Sequence, residues 1–293
     1  MDLIKITRAL ADDLHALRRP AGVSHVYNPL RYMWPAHERF LSRHYIMTGR
    51  LLDGDGNDDG EEYQGVATRR YLILGMNPGP HGMVQTGLPF GDVVNAAAML
   101  GYRTGDQVPA PDLAGVELHP GRPVIGLAAT RREASGERLW GGLAAIFGGL
   151  DQTLAQCFAA NYCPLAYFAD DAQGTNVTPE DFGKKTINGK PNPRHDPGYA
   201  AELDKVCLPY LVRVARAMRV EVILAVGRYA EAKANIIAAL CPEATQQCPS
   251  PKVVYLTHPS PLATRSAGEW ATMARHALEN AGVLPPGASE VGP

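Results

Sequence analysis

Four short apolar runs, each cut off by a polar segment rich in glycine or proline, limit what this chain can fold into. Tyr71-Leu72-Ile73-Leu74 closes on Gly75, and a run at about 156–160 ends in Asn161. Val222-Ile223-Leu224-Ala225-Val226 closes on Gly227, and Val253-Val254-Tyr255-Leu256-Thr257 runs into His258. Runs this short, with no polar alternation, are the pattern of strands buried on both faces. Between and around them lie stretches at helical spacing, over 2–18, 34–45, 91–101, 136–147, 199–219, 229–240 and 267–281. Strands alternating with helices predict an α/β fold, a three-layer α/β/α arrangement with a central, mainly parallel four-stranded sheet. Ligands of such sheets sit at the carboxyl ends of the strands. Three of the four ends carry unusual polar segments, GMNPGP, NYCPL and HPSP, which parallel strands would gather at one edge.

Composition removes several function classes. The 28 basic and 30 acidic side chains leave a net charge of −2, which excludes a histone-like or polybasic protein but not a local basic patch. The five cysteines, Cys157, Cys163, Cys207, Cys241 and Cys248, show no C-x-x-C pair, so neither a zinc ribbon nor a dense disulfide framework is expected. The first twenty residues mix acids and bases through their apolar positions and lack a signal-peptide core. No apolar run approaches the ~18 residues that a membrane span needs. With 30 glycines and 24 prolines, much of the chain is turn and loop. The Gly- and acid-rich stretch 50–66 is expected to be an exposed loop, 103–123 irregular, and 169–198 a long polar loop.

The strand-end segments offer specific chemistry. Gly75-Met76-Asn77-Pro78-Gly79-Pro80 is a stiff turn that lacks both the P-loop Gly-Lys-Ser/Thr and the G-x-G-x-x-G spacing. An Asn there is no base, but its carbonyl can hold a water in line for attack. His258, between a buried strand and Pro259, has little freedom, and a neutral imidazole so held can donate to a developing oxyanion. A buried Asn161 would present an acceptor beside a donor, the complement of an imide edge such as uracil N3–H and O4. Phe90 can stack on a base. Taken singly, each has a plainer reading: a rigid connector, a surface or core histidine, a turn-capping Asn, a core Phe. G-x-S-x-G, H-E-x-x-H and the zinc-deaminase signature are all missing.

Together these segments are far more specific. Residues 75–91, GMNPGPHGMVQTGLPFG, resemble the first motif of the single-strand-selective monofunctional uracil-DNA glycosylases. Asn161-Tyr162-Cys163-Pro164-Leu165 resembles their base-reading strand end, and His258-Pro259-Ser260-Pro261 their second catalytic motif. Val26–Leu30, Arg122–Leu127, Asn176–Pro179 and Val226–Arg228 add shorter matches, and the likeness runs over about 24–284. It implies a single glycosylase-like domain over 1–284, with insertions near 50–66 and 186–198, and an expected disordered tail at 285–293.

The resemblance further implies hydrolysis of the N-glycosidic bond of a deoxyuridine flipped out of DNA, with 5-hydroxymethyluracil and other oxidised or deaminated bases as further substrates. Asn77 would orient the water and His258 would stabilise charge on uracil O2. Asn161 would read the N3–H/O4 edge, Phe90 would stack, and the Met76 backbone would touch the base. Gly79 and Met83 would shape the space near C5. DNA contacts are implied for Asn176, Thr178, Lys184, Lys185, Ser260, Leu262 and Arg265, with Lys190, Arg194 and His195 on the neighbouring extension. Leu262 stands where relatives often carry Arg, and it resembles instead the wedge of the broader superfamily. No lysine lies inside the three motifs, so no lyase step is expected, and neither a metal nor another cofactor is needed.

The expected partner is DNA, single- or double-stranded, with no membrane, for a monomer working inside the cell. The compartment would be the cytoplasm or nucleoid in a prokaryote and the nucleus in a eukaryote. Two other readings remain at this point: a non-catalytic binder of uracil or damaged DNA on the same fold, and a nucleoside or nucleotide hydrolase, which would act on free deoxyuridine.

Overall fold

The computed structural model describes residues 2–46, 70–102, 108–241, 250–261, 263 and 266–285. The 50–66 stretch, Cys248, Leu262, Arg265 and residues 286–293 lie outside the described residues.

The central sheet has four parallel strands in the spatial order Cys157–Asn161, Tyr71–Gly75, Val222–Val226, Lys252–Leu256. Each strand lies within one residue of its expected position. The first three are buried at every residue, whereas Lys252–Leu256, at one edge, is exposed at Lys252 and half-buried at Val253 and Tyr255. In register, Gly75 lies opposite Asn161, so the first two polar segments leave the sheet side by side. The ladder continues past the strands, with Tyr162 N–H donating to Gly75 O at 2.8 Å and Cys163 N–H to Met76 O at 2.9 Å.

Helices cover the sheet in two groups. Leu3–His15, Pro197–Ala217 and Arg228–Leu240 form one; Val93–Leu100, Ala134–Phe147, Leu150–Gln156 and Ala267–Asn280 form the other. Their starts follow local chemistry. Asp2, Asp92, Asp196 and Ser266 each accept backbone N–H bonds as N-caps, and Gly101 and Gly148 close two C-termini in the left-handed region. Ala134–Phe147 and Ala267–Asn280 approach closely because Gly142 leaves room for the buried Trp270 ring; a Cβ there would sit 2.7 Å from Trp270 Cζ3.

A second, antiparallel sheet of His25–Tyr27, Ala166–Phe168 and Asn176–Val177 was not expected. Its strands have two or three residues, too few to show a period. The segment 169–198 is also more ordered than a polar loop. It contains the helix Pro179–Gly183 and a hairpin pairing Thr186–Ile187 with Lys190–Pro191. Asn188 (φ 51°) and Gly189 (φ 74°) form its turn, the Asn-Gly pair that tight hairpins favour because both residues tolerate positive φ. No helix among the described residues is long and apolar enough to cross a membrane.

Candidate active site

The site is built on strand ends. Gly75 ends one inner strand of the sheet, and its bare Cα faces both Asn161 and Phe90. A Cβ there would lie 2.6 Å from Phe90 Cζ and closer still to Asn161 Oδ1. Gly227, past the other inner strand, lies against His258: a Cβ would meet His258 Cδ2 at 3.7 Å. Asn77 stands two residues beyond Gly75, half-buried. Its Nδ2 reaches only Pro78 O at 3.5 Å, at the limit of a hydrogen bond. The Asn77 carboxamide is therefore weakly engaged by protein and open to a water.

Asn161 is buried and donates from Nδ2 to Met83 Sδ at 3.2 Å. The next residue is locked: Tyr162 OH donates to Asp204 at 2.6 Å, and Lys233 pairs with the same carboxylate while lying 4.6 Å from the Tyr162 ring centroid.

Among the described residues, Phe90 is one of three non-glycine residues with positive φ, at 54°. That backbone costs on the order of 1–3 kcal/mol and persists only where the surroundings enforce it. Here Trp140 Nε1 donates to Phe90 O at 3.1 Å, and Gly136 packs directly on the same carbonyl. Asp92 then caps the next helix while ion-paired to Arg132 at 3.2 Å. The second buried indole does the same at the other edge of the site, with Trp270 Nε1 donating to Thr257 O at 2.8 Å just before His258. The sequence gives no sign of either indole–carbonyl bond.

Solvent reaches His258 at the rim, yet enough protein surrounds its ring that desolvation lowers its pKa below 6.5. The imidazole is neutral at pH 7, the form suited to donate to an anion without charging a second group. Gln85, also buried, ties the first motif to its surroundings. Its Nε2 donates to Pro80 O and Pro123 O at 3.1 and 2.9 Å, and its Oε1 accepts from Ile125 N–H at 2.8 Å. This explains why Arg122–Leu127 is part of the pattern. Gly79 lies against the Glu133 carboxylate, a contact that was not foreseen.

The expected DNA-contacting residues are a mixed set. Thr178 Oγ1 donates to Asp181 at 3.1 Å inside the capping box of Pro179–Gly183, and Asn176 Oδ1 is buried without a hydrogen-bond partner. Lys184 pairs with Glu180 at 3.0 Å, Lys185 is exposed, and Ser260 is half-buried beside the site histidine. Arg138 Nη1 approaches Pro259 O at 3.5 Å, which adds a cation beside the HPSP turn. Among the described residues, no three His, Cys, Asp or Glu side chains are grouped to hold a metal ion.

Comparison with known proteins defines the class. The family model of the uracil DNA glycosylase superfamily matches residues 63–280. The chain is 33% identical over 274 residues to a rat protein named single-strand selective monofunctional uracil-DNA glycosylase, covering 93% of this chain and 81% of that one. The bovine protein of that name is also 33% identical, over 277 residues, covering 94% and 84%. The crystal structure of wild-type Pedobacter heparinus SMUG2 superposes with a TM-score of 0.51 at 15% identity, covering 95% of this chain and 97% of that one, and shows the shared fold. The chain belongs to the uracil DNA glycosylase superfamily and, within it, to the single-strand-selective monofunctional family.

Proposed function

We propose that this protein removes uracil from DNA by hydrolysis, as a monofunctional glycosylase of base-excision repair, and leaves an abasic site. The observation that carries the reading is that Asn161 and Phe90 lie against Gly75, two residues before Asn77, and His258 lies against Gly227, both glycines at the carboxyl ends of one parallel sheet. The C1′–N1 bond breaks as the base departs with its electron pair, and the sugar gains oxocarbenium character. Water oxygen then bonds to C1′ and its proton passes to solvent. Such a transition state needs a fixed donor at the leaving anion and a positioned water more than a strong base. The neutral His258 supplies the donor at uracil O2, and the open Asn77 carboxamide supplies the position for water.

Asn161 reads the N3–H/O4 edge and Phe90 stacks on the ring. The Met76 backbone touches the base, its carbonyl held in place by the Cys163 N–H. Gly79 and Met83 bound the C5 side, where 5-hydroxymethyluracil would fit. Lys184, Lys185 and Ser260 meet the DNA backbone, a role the sequence also assigns to Leu262 and Arg265, in a monomer whose domain spans 1–284.

The test is alkali cleavage of an end-labelled oligonucleotide bearing one uracil, after incubation in EDTA. Wild type is expected to cut at the uracil, with Asn77→Ala and His258→Ala each slowed by about 10²–10³. Tight binding by wild type without base release would overturn this and favour a binding module. Release from free deoxyuridine would favour a nucleoside hydrolase.

A further inference from the structure

We propose that Glu133 is a positioning residue for the catalytic loop: the Gly79–Gly82 turn is wound around its carboxylate, and this sets where Asn77 sits. The inference rests on the assignment of Asn77 as the water-orienting group.

Glu133 immediately precedes the Ala134–Phe147 helix, at the N-cap position, yet its side chain caps nothing in its own helix. The carboxylate turns instead into the loop. A Cβ on Gly79 would lie 2.6 Å from Glu133 Cδ, and one on Gly82 2.9 Å, so a side chain at either position would push the carboxylate out of its place. The turn is fastened behind the carboxylate by Gly82 and Val84 N–H groups, both donating to Gly79 O at 3.2 Å. Backbone N–H groups of His81 and Gly82 face the carboxylate and favour its charge. Its Oε2 is buried with no hydrogen-bond partner. A buried carboxylate oxygen left unpartnered is costly, and such groups are kept where they serve a geometric or chemical purpose.

The electrostatic surroundings leave Glu133 poised. Asp92 is fully buried nearby, but Arg132 is already committed to Asp92 and to Glu137 on the same helix. Desolvation lowers the pKa of His81, on the loop itself, and the charges of Arg131 and Arg122 add to the effect. Among the described residues no cation is paired with Glu133. Desolvation, with Asp92 adding to it, raises the Glu133 pKa to about 7. The His81 and Gly82 N–H groups offset only part of the cost of burying the charge. The closed turn is therefore tighter with Glu133 protonated, and the loop that carries Asn77 loosens as pH rises through 7.

The proposal is tested in the full-length protein by two measurements. The first is NMR of the Glu133 side-chain carboxyl carbon and the Gly82 amide across pH 5–9. Both should titrate together with a midpoint near 7, and the Gly82 response should vanish in Glu133→Gln. The second is the single-turnover rate of uracil release against pH, beside the DNA dissociation constant. Glu133→Ala should slow the rate about tenfold or more with DNA affinity unchanged. Glu133→Gln, which keeps an acceptor and the fold, should recover most of the rate but lose the inflection near 7, leaving only that of His258 below it. A Gly82 amide indifferent to pH and to Glu133→Gln, with both variants as fast as wild type, would overturn the proposal. A wild type that releases no uracil while Gly82 still titrates with Glu133 would instead overturn the proposed function and leave the hold on the loop supported.

Discussion

Asn161 Nδ2 and Met83 Sδ are hydrogen-bonded at 3.2 Å, and the bond decides which way the Asn161 amide faces. With Nδ2 held by sulfur, Oδ1 is turned toward Gly75 and the Phe90 ring, where a base would lie. An acceptor aimed there suits the N3–H of uracil and opposes the bare N3 of cytosine. Thioether sulfur is a weak acceptor, so uracil O4 can replace it without a large penalty. Met83→Leu conserves volume but removes the sulfur. It is expected to slow single-turnover uracil release severalfold and narrow the uracil-to-cytosine preference. Asn161→Asp, ionised and unable to donate, should cost about 10–100-fold on uracil. An unchanged uracil-to-cytosine ratio in Met83→Leu would remove sulfur from the account.

The strained Phe90 backbone depends on Trp140. Replacing that indole by Phe keeps most of the packing and leaves the buried Phe90 carbonyl without its donor. The expected cost in urea denaturation is about 1–3 kcal/mol, the usual penalty for a buried polar group left unpaired. Uracil release should fall more than stability alone explains, because the Phe90 ring loses its fixed direction. If Trp140→Phe proves as stable and as fast as wild type, the strain is held by Gly136 alone.

Lysines 184 and 185 should not contribute equally to DNA binding. Lys184 is paired with Glu180 at 3.0 Å, whereas Lys185 is exposed. Each phosphate neutralised by a cation adds close to one to the slope of log affinity against log salt. Lys185→Ala is therefore expected to reduce that slope by about one and Lys184→Ala by less, measured by fluorescence anisotropy over a salt series. Equal slopes for both variants and wild type would place the DNA path elsewhere.

Acid sensitivity has an identifiable source in His37. Burial lowers its pKa to about 4, while its Nδ1–H donates to Gly87 O at 2.8 Å. The unfolded chain takes up this proton near 6.5 and the folded chain only near 4, so the contribution is complete above 6.5 and is lost as pH falls toward 4. Between pH 7 and pH 5 the loss is about 2 kcal/mol. Glu133 acts in the opposite sense: its raised pKa makes stability fall as pH rises from 4.5 to 7. The wild-type profile mixes the two, so His37→Gln is the clean comparison. Its stability deficit, from urea denaturation, should be about 2 kcal/mol larger at pH 7 than at pH 5. A deficit independent of pH would mean that His37 is not the titrating group.

The central sheet was legible because its strands are long enough and apolar enough to stand out, and each runs into a polar, glycine- or proline-rich segment. Asn77, Asn161 and His258 stand out as candidates because they lie at or just past those ends, and Phe90 because it closes the stretch that begins at Gly75. What escaped was chemistry carried by side chains far away in the chain. Glu133 reads as an ordinary surface acid before a helix, and nothing local says that Gly79 and Gly82 will close around it. Trp140 and Trp270 read as core, which they are; that each indole N–H meets a carbonyl beside a site residue depends on how two helices pack. The Asn188-Gly189 hairpin had a local signal, hidden within a stretch read only as polar.

The order of the four strands also determines the outline of the hollow at their ends. The two inner strands run out into glycines, Gly75 and Gly227, while the side chains of size and function, Asn161 and His258, follow the two outer ones. Three inter-strand steps of about 4.8 Å separate the outer pair, more than the width of a pyrimidine. The middle of that span is floored by bare backbone and its two margins rise as side chains. The sheet thus ends in a trough whose breadth is fixed by backbone ladders. Repacking the helices on either face can thicken or thin the layers around it, but cannot bring its two banks together or move them apart.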